Sequence, residues 1–462
     1  MAKNPTMMIC IILAGLALAA PARAEGPEAP VRPQALHALV AEGLEHNQEL
    51  RSLAETAAGL RAAAPAAGSL ADPVLGLGVI GLPVDTFDTR QEAMTQKQVS
   101  LSQKVPWFGT LGLSEKAALL KAVRADKQLQ AKRLELARKI ADAWYDLGLV
   151  ARGLEVNAQL AAMVDQTLKV AETRYATGAG LQQDILSAQV RRSELEDERI
   201  GLAQRRRSLE DAINGLLNRE RFTSVAPPAL PDPALPALDP EALAARALRH
   251  NPLVAVRTVE IEMADVDVAL AEKAYGPDMT FTVAYGQRDD DLLGRERADL
   301  ASAQVTLSLP LWQATRQDSK LEAAKKAREA ADRALEALKR SLPHRVDALA
   351  GEARDLARSW ELNRDAILLQ GSQRADASLA AYEVGKVEFD TMLNARLSLL
   401  RMQLRAETSL FALQRKLAEL EEAVGSPLAA PAPAATASPT AAAAASAATA
   451  SVPDLHTDIA TR

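Results

Sequence analysis

The 462-residue sequence predicts a mainly α-helical protein with a small β part, built as a tandem repeat of long helical hairpins. Two stretches, 111–175 and 315–381, are long enough for single helices of about 100 Å. Each is followed after a short break by another helical stretch, 181–218 or 391–424, on which it can fold back. Two pairs of short alternating segments predict four strands. Pro343 lies inside the second long helix and predicts a kink there.

The chain begins with a predicted secretory signal peptide, residues 1–24. An apolar run at 7–20 is followed by small residues that form a cleavage site after Ala24. The only cysteine, Cys10, lies within this segment. The mature chain is therefore expected to have no disulfide, no thiolate nucleophile and no lipid-carrying N-terminal cysteine.

The composition argues against several classes of function. A formal net charge of −6 is unlike that of a nucleic-acid binder, which needs a basic stripe. Aromatic residues make up only 3% of the chain and no catalytic motif is present, so we expect neither an enzyme nor a cofactor site. The histidines are scattered and favour no metal site. They are His37, His46, His250, His344 and His456.

In the first half of the chain, a helix is predicted over 33–64, followed by two strands. Glycine alternates with Leu and Val over 74–82, which gives one bulky apolar face, and polar and apolar residues alternate over 98–105. The second strand ends at Trp107 and Phe108. Aromatic residues at a strand end are typical of a membrane interface, and no apolar run after residue 24 is long enough for a transmembrane helix.

The second half repeats this plan. Strands are predicted over 278–286 and 305–312, and the second of them ends at Trp312, a third candidate interface aromatic. Asn251 lies about 204 positions after Asn47 in a similar local sequence, and the other matching features keep nearly the same offset. This constancy indicates an internal repeat.

The repeat divides the chain into five predicted segments. The stretch between the halves is rich in proline and cannot form a continuous helix, and the C-terminal stretch is rich in Ala, Pro, Ser and Thr, which predicts disorder. The segments are the signal peptide (1–24), the first repeat (25–221), the linker (222–240), the second repeat (241–425) and the tail (426–462).

Each predicted hairpin has a Tyr-x-x-Gly sequence at its tip. Tyr175 and Gly178 form the first, and Tyr382 and Gly385 form the second. Glycine at such a position ends a helix, and Gly180 supplies further freedom for the first turn.

Four strands are too few to close a barrel, and open sheet edges are costly in lipid. If the strands are embedded in a membrane, several chains must therefore share one barrel. Two chains would supply eight strands around a filled interior, whereas three would supply twelve strands and begin to leave a channel.

Taken together, the tandem repeat, the helix start at Asn251-Pro252, the strand ends at 106–109 and 310–313 and the two tips resemble the TolC family of outer-membrane efflux channels. The resemblance covers 33–424. It implies a homotrimer in which twelve strands form a β-barrel in outer-membrane lipid and the hairpins form a periplasmic α-barrel. Such a channel would passively conduct substrate from an inner-membrane pump, expected to be proton-driven, through a periplasmic adaptor protein.

The resemblance also implies roles for residues at the tips. Asp184 matches an acidic residue of the periplasmic aperture. Glu388 and Asp390 lie near the second aperture position, although Thr391 and Asn394 stand where some relatives have acids. Adaptor docking is implied for both tips, through residues Tyr175, Gly178, Gly180, Tyr382 and Gly385.

The cargo and one rival function stay open. The stretch 94–103, with the Pro-Trp-Phe-Gly that follows it, resembles the branch of the family that exports heavy-metal cations. The alternative function is a soluble periplasmic coiled-coil adaptor or scaffold, which would share the signal peptide and the hairpins. The two strand pairs distinguish a channel from a soluble scaffold, because a soluble scaffold would not need them.

Overall fold

The computed structural model describes residues 33–231 and 235–428. The predicted signal peptide, 1–24, and residues 429–462 of the predicted tail lie outside them. The elements, in chain order, are α1 (Gln34–His46), α2 (Gln48–Gly68), β1 (Val74–Ile80), β2 (Gln96–Val105), α3 (Thr110–Ala176), α4 (Gln182–Leu217), α5 (Pro240–His250), α6 (Pro252–Lys273), β3 (Asp278–Gln287), β4 (Leu300–Ser308), α7 (Gln313–Leu362), a π-helical turn (Asn363–Ile367), α8 (Leu368–Glu383) and α9 (Phe389–Val424).

The same order of elements occurs twice. Each half has two short helices, two strands, one long helix and a returning helix, and α3 alone contains 67 residues. At about 1.5 Å per residue, α3 extends roughly 100 Å from the sheet to the tip of its hairpin. The predicted fold class, mainly helical with paired long hairpins and four strands, is confirmed.

The predicted helix over 33–64 is wrong in one respect, because it is two helices that meet at Asn47. The Asn47 side chain accepts a hydrogen bond from the backbone N–H of Leu50 at 3.1 Å, which caps α2, and donates one to the carbonyl of Leu216 at 3.1 Å. A side chain that caps a new helix end and also binds a distant carbonyl favours a break at this point. Pro65 lies within the last turn of α2 rather than ending it.

Asn251 makes the equivalent pair of hydrogen bonds in the second half. Its oxygen accepts from the N–H of Leu253 at 2.8 Å, and its amide nitrogen donates to the carbonyl of Ala423 at 2.8 Å. Each asparagine thus fastens the start of α2 or α6 to the far end of the returning helix of the same half. The two asparagines that repeat in the sequence therefore join helices within each half.

We expect Asn251→Ala to lower the free energy of unfolding by about 2 kcal/mol, because it removes a helix cap and leaves a buried carbonyl without its donor. Asn251→Ser retains a capping oxygen but cannot reach Ala423, so its loss should be roughly half as large. Urea unfolding of the purified protein, followed by circular dichroism, measures both. Equal stability of Asn251→Ala and the native protein would contradict the fastening role.

The second long helix differs from the prediction of one continuous helix over 315–381. A π-helical turn interrupts it at Asn363–Ile367, where the backbone N–H of Leu368 donates to the carbonyl of Asn363. The buried Asn363 side chain donates to the carbonyl of Ser359 at 2.6 Å and competes with the regular backbone pattern. α7 continues through Pro343, and the kink predicted at this residue stays a prediction.

The four strands form one antiparallel sheet in the order β1-β2-β3-β4, so β1 and β4 are its edges. The strand predicted over 305–312 begins earlier, at Leu300, and ends at Ser308. It leaves the sheet just before Pro310, which has no N–H to continue the ladder. The registers join the middle strands of the two halves, with Leu101 opposite Val283.

The helices pack through several apolar clusters along their length. A cluster around the buried Trp144 and Tyr145 joins α1, α3 and α4, and the Pro-rich linker lies against it. The indole N–H of Trp144 donates to the linker carbonyl of Ala226 at 3.1 Å. At the other end of the linker, a second cluster joins α5, α7 and α9. It includes Leu428, which follows the predicted start of the tail and is buried.

Ion pairs add links between the helices. Arg152 on α3 binds both carboxylate oxygens of Glu407 on α9, at 2.8 and 2.7 Å, and this hydrogen bonding raises the pKa of the Arg152 guanidinium. Arg219 binds Glu42 in the same bidentate way and lowers the pKa of the Glu42 carboxyl. Such pairs fix the relative positions of neighbouring helices.

Across the described ranges, no helix has both the length and the apolar character required to pass through a membrane.

Candidate functional site

The two hairpin tips have the same backbone geometry. At the first tip, the N–H of Ala179 donates to the carbonyl of Arg174 at 2.8 Å, and Gly178 adopts a left-handed conformation with φ +77°. At the second, Lys386 donates to Ala381 at 2.8 Å, and Gly385 has φ +72°. This is a Schellman motif, which satisfies the last carbonyls of a helix and requires a residue without a Cβ penalty.

Gly180 is required for a different reason. A Cβ atom at this position would lie 3.0 Å from the Cβ of Arg174 and 3.0 Å from the backbone nitrogen of Tyr175. The turn that follows α3 therefore passes close to the end of that helix. The three tip glycines predicted from the sequence all have a conformational or steric reason to be glycine.

The tips of the two hairpins lie side by side and enclose a cavity of about 290 Å³. Asp184 from the first tip and Glu388 and Asp390 from the second all line it, together with Arg174. The structure therefore brings together the three predicted aperture carboxylates, which belong to separate segments of the sequence.

The carboxylates lie where helix starts favour negative charge. Asp184 is in the first turn of α4, Asp390 is in the first turn of α9, and Glu388 immediately precedes α9. The partial positive charge of a helix N-terminus stabilises acids in this position by about 0.3–1 kcal/mol. This interaction favours an acid at each of the three positions. That all three line one cavity is a separate consequence of how the chain folds.

Arg174 links the two tips. Its guanidinium carbon lies 5.1 Å from the centroid of the Tyr382 ring, within the range of a cation–π interaction. The Tyr382 ring also contacts the buried Phe389 edge-on, with centroids 6.0 Å apart. Neither Arg174 nor Phe389 was predicted from the sequence. The only hint for Arg174 is that the matching position of the second tip is Ala381, so the arginine occurs in one repeat alone.

The two tyrosines that align in the sequence have different environments. Tyr175 is 49% exposed, whereas Tyr382 is half-buried beneath Arg174 and against Phe389. Tyr175 therefore has about half of its surface available to another molecule. The docking roles predicted for both tyrosines stay predictions, and their geometry favours Tyr175 for outward contact.

At the opposite end of the molecule, the sheet has one apolar and one polar face. Directly opposed residues of an antiparallel pair share a face. The register therefore places Leu77, Val99, Tyr285 and Ala301 on one side, and Gln98 with Gly286 on the other. The apolar face is open, with Leu77 74% exposed. Its members are Leu75, Leu77, Val79, Val99, Leu101, Phe281, Val283, Tyr285, Val305 and Leu307.

The three predicted interface aromatics lie where the sheet joins the helices. Phe108 is 67% and Trp312 is 72% exposed. Trp107 is half-buried, because its ring packs against Gly276, where a Cβ atom would lie 2.2 Å from the Trp107 ring. Its backbone N–H donates to a carboxylate oxygen of Asp278 at 3.2 Å. Two of the three are thus available to a lipid interface, and Trp107 also secures the start of β3.

With this geometry in place, the chain can be compared with known proteins. The family model described as "Outer membrane efflux protein" matches residues 243–426. The second half of the chain is therefore similar to this family. No curated protein matches the chain significantly.

Solved structures of membrane proteins, an outer-membrane channel among them, have the same fold as this chain. A membrane protein from Pseudomonas aeruginosa gives a TM-score of 0.72 at 18% identity, covering 86% of this chain and 92% of the other. The CmeC outer membrane channel of Campylobacter jejuni gives 0.71 at 10% identity, covering 92% and 94%. The outer membrane protein VceC from Vibrio cholerae gives 0.67 at 18% identity, covering 85% and 96%. The resemblance inferred from the sequence is confirmed.

We expect Gly385→Ala to loosen the second tip, because an L residue in the left-handed region costs about 1–2 kcal/mol. Amide hydrogen exchange around 381–390 should become faster by about tenfold or more. Gly112→Ala is the matched control: a Cβ atom at Gly112 would meet no neighbouring side chain within 4 Å, and alanine suits the interior of α3. Unchanged exchange at the tip of Gly385→Ala would contradict the assigned role of this glycine.

Proposed function

We propose that the protein is the outer-membrane channel of a tripartite efflux system. Three copies would share a twelve-stranded barrel, and the helical hairpins would extend from it as a periplasmic tunnel. The observation that carries the proposal is the one-sided sheet, whose apolar face is open and whose edge strands β1 and β4 lack outer neighbours in the described chain.

The exposed apolar face supports placement in lipid. Water does not favour a continuous surface of Leu, Val, Phe and Tyr side chains, and large exposed apolar patches mark interaction or membrane sites. The opposite face is rich in hydroxyl and amide side chains, which suits a water-filled lumen. These are Gln96, Gln98, Ser100, Ser102, Thr280, Thr282, Ser302, Gln304, Thr306 and Ser308. A soluble scaffold would leave this alternation without a purpose.

The open edges support assembly from several chains. The outer N–H and C=O groups of β1 and β4 need partners in a medium without water. Pairing β4 of one copy with β1 of the next satisfies both edges and closes the sheet after a whole number of copies. Three copies give twelve strands, which leave a lumen, whereas two copies give eight strands with a filled interior.

The tips are the proposed periplasmic aperture and adaptor-docking region. Asp184, Glu388 and Asp390 would face the narrow end of the tunnel, and the cation–π contact between Arg174 and Tyr382 would hold the two hairpins of one chain together there. Opening of the aperture would break the contact between Arg174 and Tyr382. Tyr175, Gly178 and Gly180 of the first tip and Gly385 of the second lie at the exposed end for contact with a periplasmic adaptor.

Transport through such a channel is passive, and an inner-membrane pump would supply the energy. Heavy-metal cations as cargo stay a prediction from the strand-end sequence. Among the described residues, there is no group of three or more His, Cys, Asp or Glu side chains arranged to hold a metal ion.

We expect Val283→Lys to reduce the amount of heat-modifiable trimer in the outer-membrane fraction. Val283 lies on the apolar face, where a lysine at mid-membrane costs about 2–4 kcal/mol. Ala284→Lys is the control, because Ala284 is the next residue of β3 and lies on the polar face. Gel migration before and after boiling measures the trimer. Equal trimer yields from the two variants would argue against lipid at the apolar face.

We expect Asp184→Ala to leave the trimer intact but to change single-channel conductance and its response to divalent cations in planar bilayers. The physical reason is the loss of one carboxylate per chain from the proposed aperture, where charge concentrates cations. Asp197→Ala removes an exposed carboxylate of α4 away from the cavity and serves as control. If Asp184→Ala and the control conduct identically with and without divalent cations, the aperture assignment is wrong.

A further inference from the structure

A second cavity lies where the sheet joins the helices, and none of the roles above uses it. This junction cavity, of about 450 Å³, lies between the end of β2, the end of α6 and the start of α7. Its ionisable and buried polar lining residues include Lys104, Lys273, Asp278, Arg316, Gln317 and Lys320.

The charge of the junction cavity is strongly positive. Lys104 forms an ion pair with Asp278 at 3.1 Å. Lys273, Arg316 and Lys320 form no ion pair or side-chain hydrogen bond in the part of the chain that the structure describes. Three uncompensated cations around one concave surface create a field that attracts anions, which is unusual in a chain of net charge −6.

The register of the sheet shows which side of the sheet the cavity occupies. Lys104 pairs with Thr280, and Asp278 pairs with Ser308. All four lie on the polar face, opposite the face that carries Leu77 and Val283. The junction cavity therefore adjoins the polar face, which is the lumen side if the sheet is part of a channel wall.

A buried amide also points to a ligand. Gln317 is only 8% exposed, lines the cavity, and its side-chain oxygen has no hydrogen-bond partner. A buried amide group without a partner is costly, so such groups normally meet a ligand or water. A ligand that carries an anionic group can bind this amide in either of its two orientations. In the present orientation, a hydroxyl of the ligand donates to the amide oxygen. After rotation of the amide, its NH₂ group donates to a carboxylate or phosphate of the ligand.

We infer that the junction cavity is an anion-binding site in the wall of the conduit, which favours solutes that carry carboxylate or phosphate groups. The inference rests on the proposed channel function and narrows its cargo. Lys273, Arg316 and Lys320 supply the charge, and Gln317 supplies a polar contact at the base. Such a site repels free metal cations, so it favours organic anions over heavy-metal cations as cargo.

The test is the reversal potential of the purified trimer in planar bilayers under a KCl gradient. The triple variant Lys273→Gln, Arg316→Gln, Lys320→Gln should lower the chloride-to-potassium permeability ratio by about threefold or more, because it removes the uncompensated charge. Addition of inorganic phosphate should reduce chloride current through the native channel and have a smaller effect on the triple variant.

Two further variants separate charge at this site from other effects. Lys273→Arg, Arg316→Lys, Lys320→Arg retains the charge and should retain the native selectivity. Lys325→Gln, Arg333→Gln, Arg340→Gln removes the same number of exposed cations from α7. Lys325 lies nine positions after Arg316, about two and a half turns, and so points away from the cavity. This control should conduct like the native protein.

Several outcomes would overturn the inference. A triple variant that conducts with unchanged selectivity and an unchanged phosphate response would refute the anion site and leave the channel function standing. Loss of the trimer in the triple variant alone would show that the three cations pair with carboxylates of a neighbouring copy instead. Absence of any conductance from the native trimer would refute the channel function itself, and the inference with it.

Discussion

The structure depends on a sheet that residues 33–231 and 235–428 of one chain leave open at both edges. Its four strands bond to one another, but the outer edges of β1 and β4 have backbone groups that still need partners. Its apolar face is also open. A lipid environment and pairing with further copies satisfy both needs at once, and neither condition alone does so. The long helices follow from this arrangement, since they leave the sheet at the same side and must pack along their length.

The two halves of the internal repeat share the hydrogen bonds that join their helices, but their long helices differ. Asn47 and Asn251 make the same pair of hydrogen bonds, and Gly178 and Gly385 end their helices in the same conformation. In contrast, the π-helical turn occurs in the second long helix and has no counterpart in α3. The π-helical turn is therefore a feature of the second half alone.

Local features were predictable from the sequence, and contacts between distant segments were not. Helix-ending glycines and strand alternation depend on neighbouring residues, so Gly178, Gly385 and the β1 pattern could be found in advance. The break at Asn47 depends on the carbonyl of Leu216, and the π-helical turn depends on a competition among hydrogen bonds around Asn363. Both outcomes turn on small energy differences that no local pattern reveals.

The tip cavity shows the same limit of prediction from the sequence. The family resemblance pointed to Asp184, Glu388 and Asp390 as aperture residues, but no local pattern in the sequence indicates that they line one cavity, because they belong to different hairpins. Arg174 was missed since its partner, the Tyr382 ring, is remote in the chain. The family resemblance supplied candidate positions, whereas the packing of two hairpins determines which of them meet.

The two cavities carry opposite charge at opposite ends of the helices. The tip cavity has three carboxylates and one arginine, and the junction cavity has four cations and one carboxylate. They are separated by nearly the length of α3, roughly 100 Å, whereas electrostatic interactions in physiological salt decay over about 8 Å. In the proposed channel, each cavity would therefore act on a passing solute independently. Acidic residues at the tip would respond to divalent cations without determining which solutes pass, because the charge near the sheet would act on the solute later, after the aperture has opened. A channel built in this way can be gated by cations and still favour anions, which is why the sign of the charge at the tips alone does not identify the cargo.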